Sequence, residues 1–141
     1  MRYAYPVTLE PQPEGGFTAT FDGLPGATQG ETEEEALREA EDLLVTALSI
    51  FVEDGNPVPR PAPARGRPSV GVPSLVAAKL ALHDAMLAEG VSNVDLGRRL
   101  GLDEKAVRRL RDPLHRSHIG AVEAALRALG RRLVVDVRPA A

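Results

Sequence analysis

The sequence predicts an α+β protein in three stretches: a β-β-β-α-β unit over residues 1–59, a proline-rich linker over 60–73, and a helical unit over 74–141 that closes with a strand. Three observations predict it. Apolar residues alternate with period two near the amino terminus and recur every three or four residues further on, the periods of a half-buried strand and of an amphipathic helix. Six prolines (Pro57, Pro59, Pro61, Pro63, Pro68, Pro73) fall within the 19 residues from Gly55 to Pro73, where helix cannot persist. The charge divides at the same place: residues 1–59 hold 2 basic and 12 acidic side chains, a net of -10, and residues 60–141 hold 15 and 8, a net of +7.

Composition excludes several classes. With 43% hydrophobic and 26% charged residues the chain can bury a core. It has no cysteine, which removes disulfide scaffolds, thiolate zinc sites, iron-sulfur clusters and cysteine nucleophiles, and fits a reducing compartment. No apolar run approaches the roughly 20 residues of a membrane helix, and the start reads as a strand rather than a signal peptide. A cytoplasmic protein without membrane contact is expected.

In the first unit Tyr3, Tyr5, Val7 and Leu9 alternate with Ala4, Pro6, Thr8 and Glu10. Pro6 has no N–H, so it calls for an edge strand or for a position whose N–H side faces solvent. Pro11, Pro13, Gly15 and Gly16 make a turn into a second, antiparallel strand, Phe17 to Phe21. Residues 27–31 suit a short third strand. Thr32 to Glu35 is a capping box, and its acids also suit the positive end of the helix dipole. Behind it, Ala36, Leu37, Ala40, Leu43, Leu44, Ala47, Leu48 and Phe51 form the apolar stripe of a helix ending at Gly55, with a last strand around Val58. The acid clusters here are explained by capping and solvation, and Ser49 has no nearby base in sequence. No catalytic residue, metal site or cofactor is expected.

Residues 93–112 meet the demands of a helix-turn-helix. Gly97 gives room where two helices cross, Gly101 tolerates the turn, and Leu96, Leu100, Leu102, Val107 and Leu110 are placed to fill a shared core. Ser92 and Asp103 cap the two helices. At 100° per residue, Lys105, Arg108, Arg109 and Asp112 lie opposite Val107 and Leu110. These cations would meet the major groove, and Asn93 is placed to donate to a phosphate. The alternative is a solvated face on an ordinary helical pair. Around the pair, Ser74 is placed to cap a helix ending at Gly90 that holds His83 as a partly exposed residue. Another helix runs from about His118 to Leu129. His115 and His118 lie in a turn beside Pro113 and suit a turn or phosphate contact better than a metal.

The chain then ends in an apolar strand, Leu133 to Arg138, which needs a partner. A dimer is expected whose ribbon combines Val70 and Val72 with Val134, Val135 and Val137, and which also suits a palindromic DNA site; a tetramer stays open.

Gly16-Phe17, Phe21-Asp22-Gly23-Leu24-Pro25-Gly26-Ala27, Gly30-Glu31-Thr32 and Glu35-Ala36-Leu37 together resemble the amino-terminal signature of the HicB antitoxins. The chain departs from it at Asp22-Gly23, where many relatives have Pro-Asp, and at Ala27, where cysteine is common. The resemblance covers nearly the whole chain. It implies a partial ribonuclease-H-like first domain without a working nuclease site, and a helix-turn-helix second domain. It also implies that the protein binds and neutralises a HicA toxin, a small basic mRNA-cleaving protein, and represses its own operon by binding operator DNA. Under that resemblance the acidic domain covers the toxin's basic face, with Phe21, Asp22, Leu24 and Pro25 at the contact. Two other functions stay open: a regulator whose first domain senses a small ligand, and an active ribonuclease-H-like enzyme carried to DNA. A small basic reading frame beside the gene favours the antitoxin, whereas magnesium-dependent nuclease activity favours the enzyme.

Overall fold

In the computed structural model, which describes residues 2–139, the chain runs β1 (Ala4–Pro11), β2 (Phe17–Phe21), β3 (Thr28–Gly30), α1 (Glu33–Glu53), β4 (Ser69–Gly71), α2 (Ser74–Glu89), α3 (Asn93–Leu100), α4 (Glu104–Arg111) and α5 (Ile119–Ala128). The four strands form one antiparallel sheet in the order β3-β2-β1-β4. The alternation read from the sequence sets its inner face: Tyr3, Tyr5, Val7, Ala19 and Phe21 are buried against Ala36, Ala40, Leu44 and Leu48 of α1. Thr32 caps α1 as expected, its hydroxyl accepting from the Glu35 N–H at 3.1 Å. Gly30 lets α1 sit this close to β3. A Cβ there would lie 2.7 Å from the Glu35 carbonyl carbon.

Pro6 proves to be in an inner strand, β1, between β2 and β4. Val7 donates its N–H toward Pro68 O on the β4 side at 2.9 Å. The missing Pro6 N–H therefore faces the other way, where the β2 pairing has already ended at Val7–Phe21.

Two expected strands are corrected. The fourth strand is Ser69–Gly71, drawn from the presumed linker, and not the segment around Val58. Pro57 and Pro59 flank Val58 and have no N–H for a ladder, and the one N–H available, that of Val58, donates to Asp84 Oδ1 at 3.0 Å. The terminal strand is likewise not formed: residues 131–139 have no regular structure, and Val134, Val135 and Val137 are exposed. A strand needs a ladder, and within the chain the Val70 segment is taken, Val70 pairing with Tyr5 and Gly71 with Ala4. Val70 is buried in the sheet's core and Val72 is packed against it.

The segment 60–73 holds no helix, as its prolines require; it turns at Arg65 and Gly66, both with positive φ, and is fastened to the sheet. Arg67 donates to Ala64 O, Pro63 O and Thr8 Oγ1 at 3.0 to 3.1 Å and pairs with Asp22 at 3.0 Å. Tyr5 donates its hydroxyl to Pro59 O at 2.6 Å; burial and the nearby Asp84 push its pKa up to about 12.

Helix α2 belongs to two cores. Val76 and Leu80 pack into the core under the sheet, while Ala78, Leu82, Ala85 and Met86 pack with Leu96, Val107, Leu110, Val122, Ala125 and Leu126 of the three later helices. A helix buried on opposite sides is apolar nearly all round. Lys79, His83 and Asp84 are therefore the exceptions along its middle, and each holds hydrogen bonds. Lys79, fully buried, donates to the carbonyls of Arg109 (2.9 Å), Asp112 (3.0 Å) and His115 (2.6 Å) and to Ser117 Oγ (2.8 Å). Asp84 accepts from the Tyr3 hydroxyl at 3.2 Å as well as from Val58 N–H.

Lys79→Met keeps the volume of the side chain but supplies no donor to three inward carbonyls. Guanidinium unfolding is expected to show a loss of about 2–4 kcal/mol, with Lys79→Arg less harmful than Met.

Candidate nucleic-acid interface

The cationic surface is built on α3 and α4. Ser92 Oγ accepts from the Asp95 N–H at 3.1 Å and Asp103 Oδ1 from the Ala106 N–H at 2.8 Å, so both helices begin at the expected caps. Between them Gly101 adopts φ +71°, and Leu102 donates back to Gly97 O at 2.8 Å. Gly97 is buried under this turn; a Cβ on it would run into the Leu102 carbonyl oxygen and stand 3.6 Å from Val107 Cγ2. Leu96, Val107 and Leu110 are buried and Leu100 packs against them, as expected. Leu102 does not join them: it is in the turn and 41% exposed.

Lys105, Arg108 and Arg109 all stand on the exposed side of α4. Arg108 forms a two-pronged ion pair with Glu104, one turn earlier, at 2.7 Å to each carboxylate oxygen. That pair, with the Asn93 amide, holds the Glu104 carboxyl below its ordinary pKa. Asn93 is turned inward rather than outward. Its Oδ1 accepts from Arg111 at 2.7 Å and its Nδ2 donates to Glu104 at 3.2 Å. Asp112, also expected on the exposed face, caps the following turn by accepting from the Leu114 N–H at 2.9 Å. His115 and His118 lie in that turn and are exposed. Among the described residues no three His, Asp or Glu side chains come together as a metal cluster, and no helix is long and apolar enough to cross a membrane.

Sequence patterning missed the residues behind this surface. His83, read as partly exposed, is fully buried. Its Nε2 lies 2.8 Å from Asn56 O and its Nδ1 2.7 Å from Arg111. A carbonyl can only accept and a guanidinium can only donate, so the ring is neutral with its proton on Nε2. The available signal was Lys79, His83 and Asp84 on a helix otherwise apolar on all sides.

The loop after β2 divides its four candidate residues. Phe21 is buried (6% exposed) and belongs to the core, so its ring is not available to a partner. Leu24 is packed against that core, whereas Asp22 and Pro25 are exposed. Arg67 fixes Asp22 and keeps its carboxyl more acidic than usual. The exposed face of α1 nearby is acidic, with Glu33, Glu34, Glu39, Glu41 and Asp42.

The chain belongs to the HicB-like antitoxins of bacterial toxin-antitoxin systems: the model of that family matches residues 4–81, the whole sheet, α1 and the first half of α2. It is similar to antitoxin HicB of Escherichia coli strain K12, 40% identical over 131 residues that cover 92% of this chain and 95% of the relative. Antitoxin HicB 1 of Photorhabdus laumondii is 39% identical over 134 residues, 94% of this chain and 86% of the relative. Antitoxin HicB of Pseudomonas fluorescens is 46% identical over 114 residues, 79% and 77% of the two chains. The protein is thus a HicB antitoxin of a toxin-antitoxin system, and a toxin is its implied partner.

Burial holds the His83 pKa below its ordinary 6.5, with Arg111 adding to the shift and Asn56 O and Asp84 opposing it. A group that resists protonation when folded but not when unfolded destabilises the fold as pH falls through the ordinary value. Stability in the wild-type protein is therefore expected to decline below about pH 6.5 more steeply than in His83→Asn, as urea midpoints at a series of pH values would record.

Proposed function

We propose that this antitoxin neutralises a HicA-type mRNA-cleaving toxin through its amino-terminal half and represses its own operon through a helix-turn-helix in its carboxy-terminal half. What carries the second part is the exposed cationic side of α4, presented by a helical pair whose turn depends on Gly97 and Gly101. In this reading α4 is the recognition helix. Lys105, Arg108 and Arg109 reach base edges and phosphates, with arginine suited to guanine. Asn93 supports the surface from behind rather than touching a phosphate. Two copies would present two such helices to a palindromic operator, and the exposed Val134, Val135 and Val137 are the apolar positions from which a second copy would gain.

The toxin part is supported by charge. The -10 of residues 1–59 suits a basic partner, and Asp22, Pro25 and the acidic side of α1 are where it would dock. The functional division is toxin contact over 1–59, a connection over 60–73 and DNA contact with dimerisation over 74–141. The first unit is a partial ribonuclease-H-like domain used as a binding surface: residues 1–59 hold no histidine, lysine or cysteine, and their carboxylates serve capping and solvation. The protein therefore acts by binding, without chemistry of its own.

A gel shift with duplex DNA from immediately upstream of the coding sequence tests the DNA assignment. Lys105→Ala and Arg109→Ala are each expected to weaken binding about tenfold and to lower the salt dependence by about one ion per lost phosphate contact. Unchanged affinity in both would rule out α4 as the DNA-facing helix. Coexpression with the product of an adjacent small basic reading frame tests the toxin assignment: Asp22→Lys, which reverses an exposed charge, is expected to weaken copurification without loss of DNA binding.

A further inference from the structure

A continuous line of polar contacts crosses the molecule behind the exposed face of α4. It begins after α1, at the Asn56 carbonyl, which accepts from His83 Nε2 at 2.8 Å. His83 Nδ1 accepts from Arg111 at 2.7 Å, and the other arm of the same guanidinium donates to Asn93 Oδ1, also at 2.7 Å. The Asn93 amide donates to Glu104 at 3.2 Å, and Glu104 holds Arg108 at 2.7 Å. Four elements thus contribute in turn: the segment after α1, then α2, α4 and α3, and α4 again.

Arg111 differs from the other arginines of α4. Lys105, Arg108 and Arg109 are exposed, whereas Arg111 is half-buried and both arms of its fork end on protein atoms. It also lines the cleft of about 570 Å³ between the end of α1 and α4, beside Asn93, Arg108, Val52 and Glu53. A planar fork with two fixed acceptors is a rigid spacer, which a lysine in its place would not be. The outcome at the surface is geometric. Held by Asn93, Glu104 draws the Arg108 guanidinium back toward the first turn of α4, the end that a recognition helix places nearest the bases.

We infer that Arg111 is a positioning residue for DNA contact: it fixes Asn93, and through Glu104 the reach of Arg108, while His83 fixes Arg111 from the amino-terminal half. This rests on the reading of α4 as the DNA-facing helix. His83 accepts from Arg111 only while neutral, because a protonated ring offers a second N–H to a guanidinium that is itself only a donor. The charged groups facing His83 are Arg111 from α4 and its neighbour Asp84 on α2; from the segment after α1 it meets the Asn56 carbonyl.

The test is fluorescence anisotropy of the full-length variants with a labelled duplex from immediately upstream of the coding sequence, at one salt concentration. Arg111→Lys leaves net charge unchanged, and so leaves the general attraction to phosphates, but loses the fork; affinity is expected to fall about tenfold. Two substitutions of His83 separate positioning from packing. His83→Asn puts a carbonyl near the Nδ1 position and keeps the Arg111 contact, so it is expected to bind within about twofold of wild type. His83→Gln puts its amide near the Nε2 position, keeps the Asn56 contact and loses Arg111, and is expected to bind like Arg111→Lys. Wild-type affinity in Arg111→Lys, or equal losses in the Asn and Gln variants at matched melting temperature, would overturn the inference. Arg108→Ala run alongside separates the two claims: if it binds like wild type, the DNA-facing assignment of Arg108 is what fails.

Discussion

A lysine ammonium cut off from solvent must find its acceptors inside the protein, and the arrangement of the carboxy-terminal half follows from where Lys79 finds them. Its acceptors are main-chain carbonyls at the end of α4 and in the turn that follows, together with the Ser117 hydroxyl. Burial lowers the Lys79 pKa, with Asp112 opposing the shift, so the charge is kept only because the acceptors are at hand. The end of α4, the turn through Pro113 and the approach to α5 are thereby tied to one point on α2. Cationic residues on α4 can serve recognition only if the helix is held at a fixed depth and rotation, and this tie, with the apolar contacts of Val107 and Leu110, supplies both.

The same helix faces the other way. Val76 and Leu80 close the core beneath the sheet, and Asp84 gathers Tyr3 and the Val58 amide. Burial and the Asp84 carboxylate push the Tyr3 pKa well above its ordinary value, which keeps the hydroxyl a donor. The acidic and basic halves are therefore not two units on a free tether. The proline segment between them is clipped to the sheet by Arg67, and it contributes the fourth strand.

Much of this was legible in the sequence where a local rule governs. Period-two alternation placed β1 and β2, the capping box started α1 at Thr32, and glycine spacing with two caps located α3 and α4. What the sequence misjudged are the long-range choices. Pro57 and Pro59 already argue locally against a strand at Val58, but only the fold shows that Ser69 to Gly71 lies opposite the free side of β1 and closes the sheet instead. Phe21 has the composition of an interface residue and is instead on the inward side of β2. The terminal valines have the pattern of a strand and no ladder among the described residues. His83 and Arg111 carried no motif at all, since their meaning depends on residues 27 and 28 positions distant that fold against them.

The central claim is that α2 joins the two halves into one cooperative structure. Differential scanning calorimetry of the full chain tests it most directly. A single unfolding transition is expected, seen at the same temperature by probes in the sheet and in α4. Two resolved transitions, with the sheet melting apart from the last three helices, would contradict it.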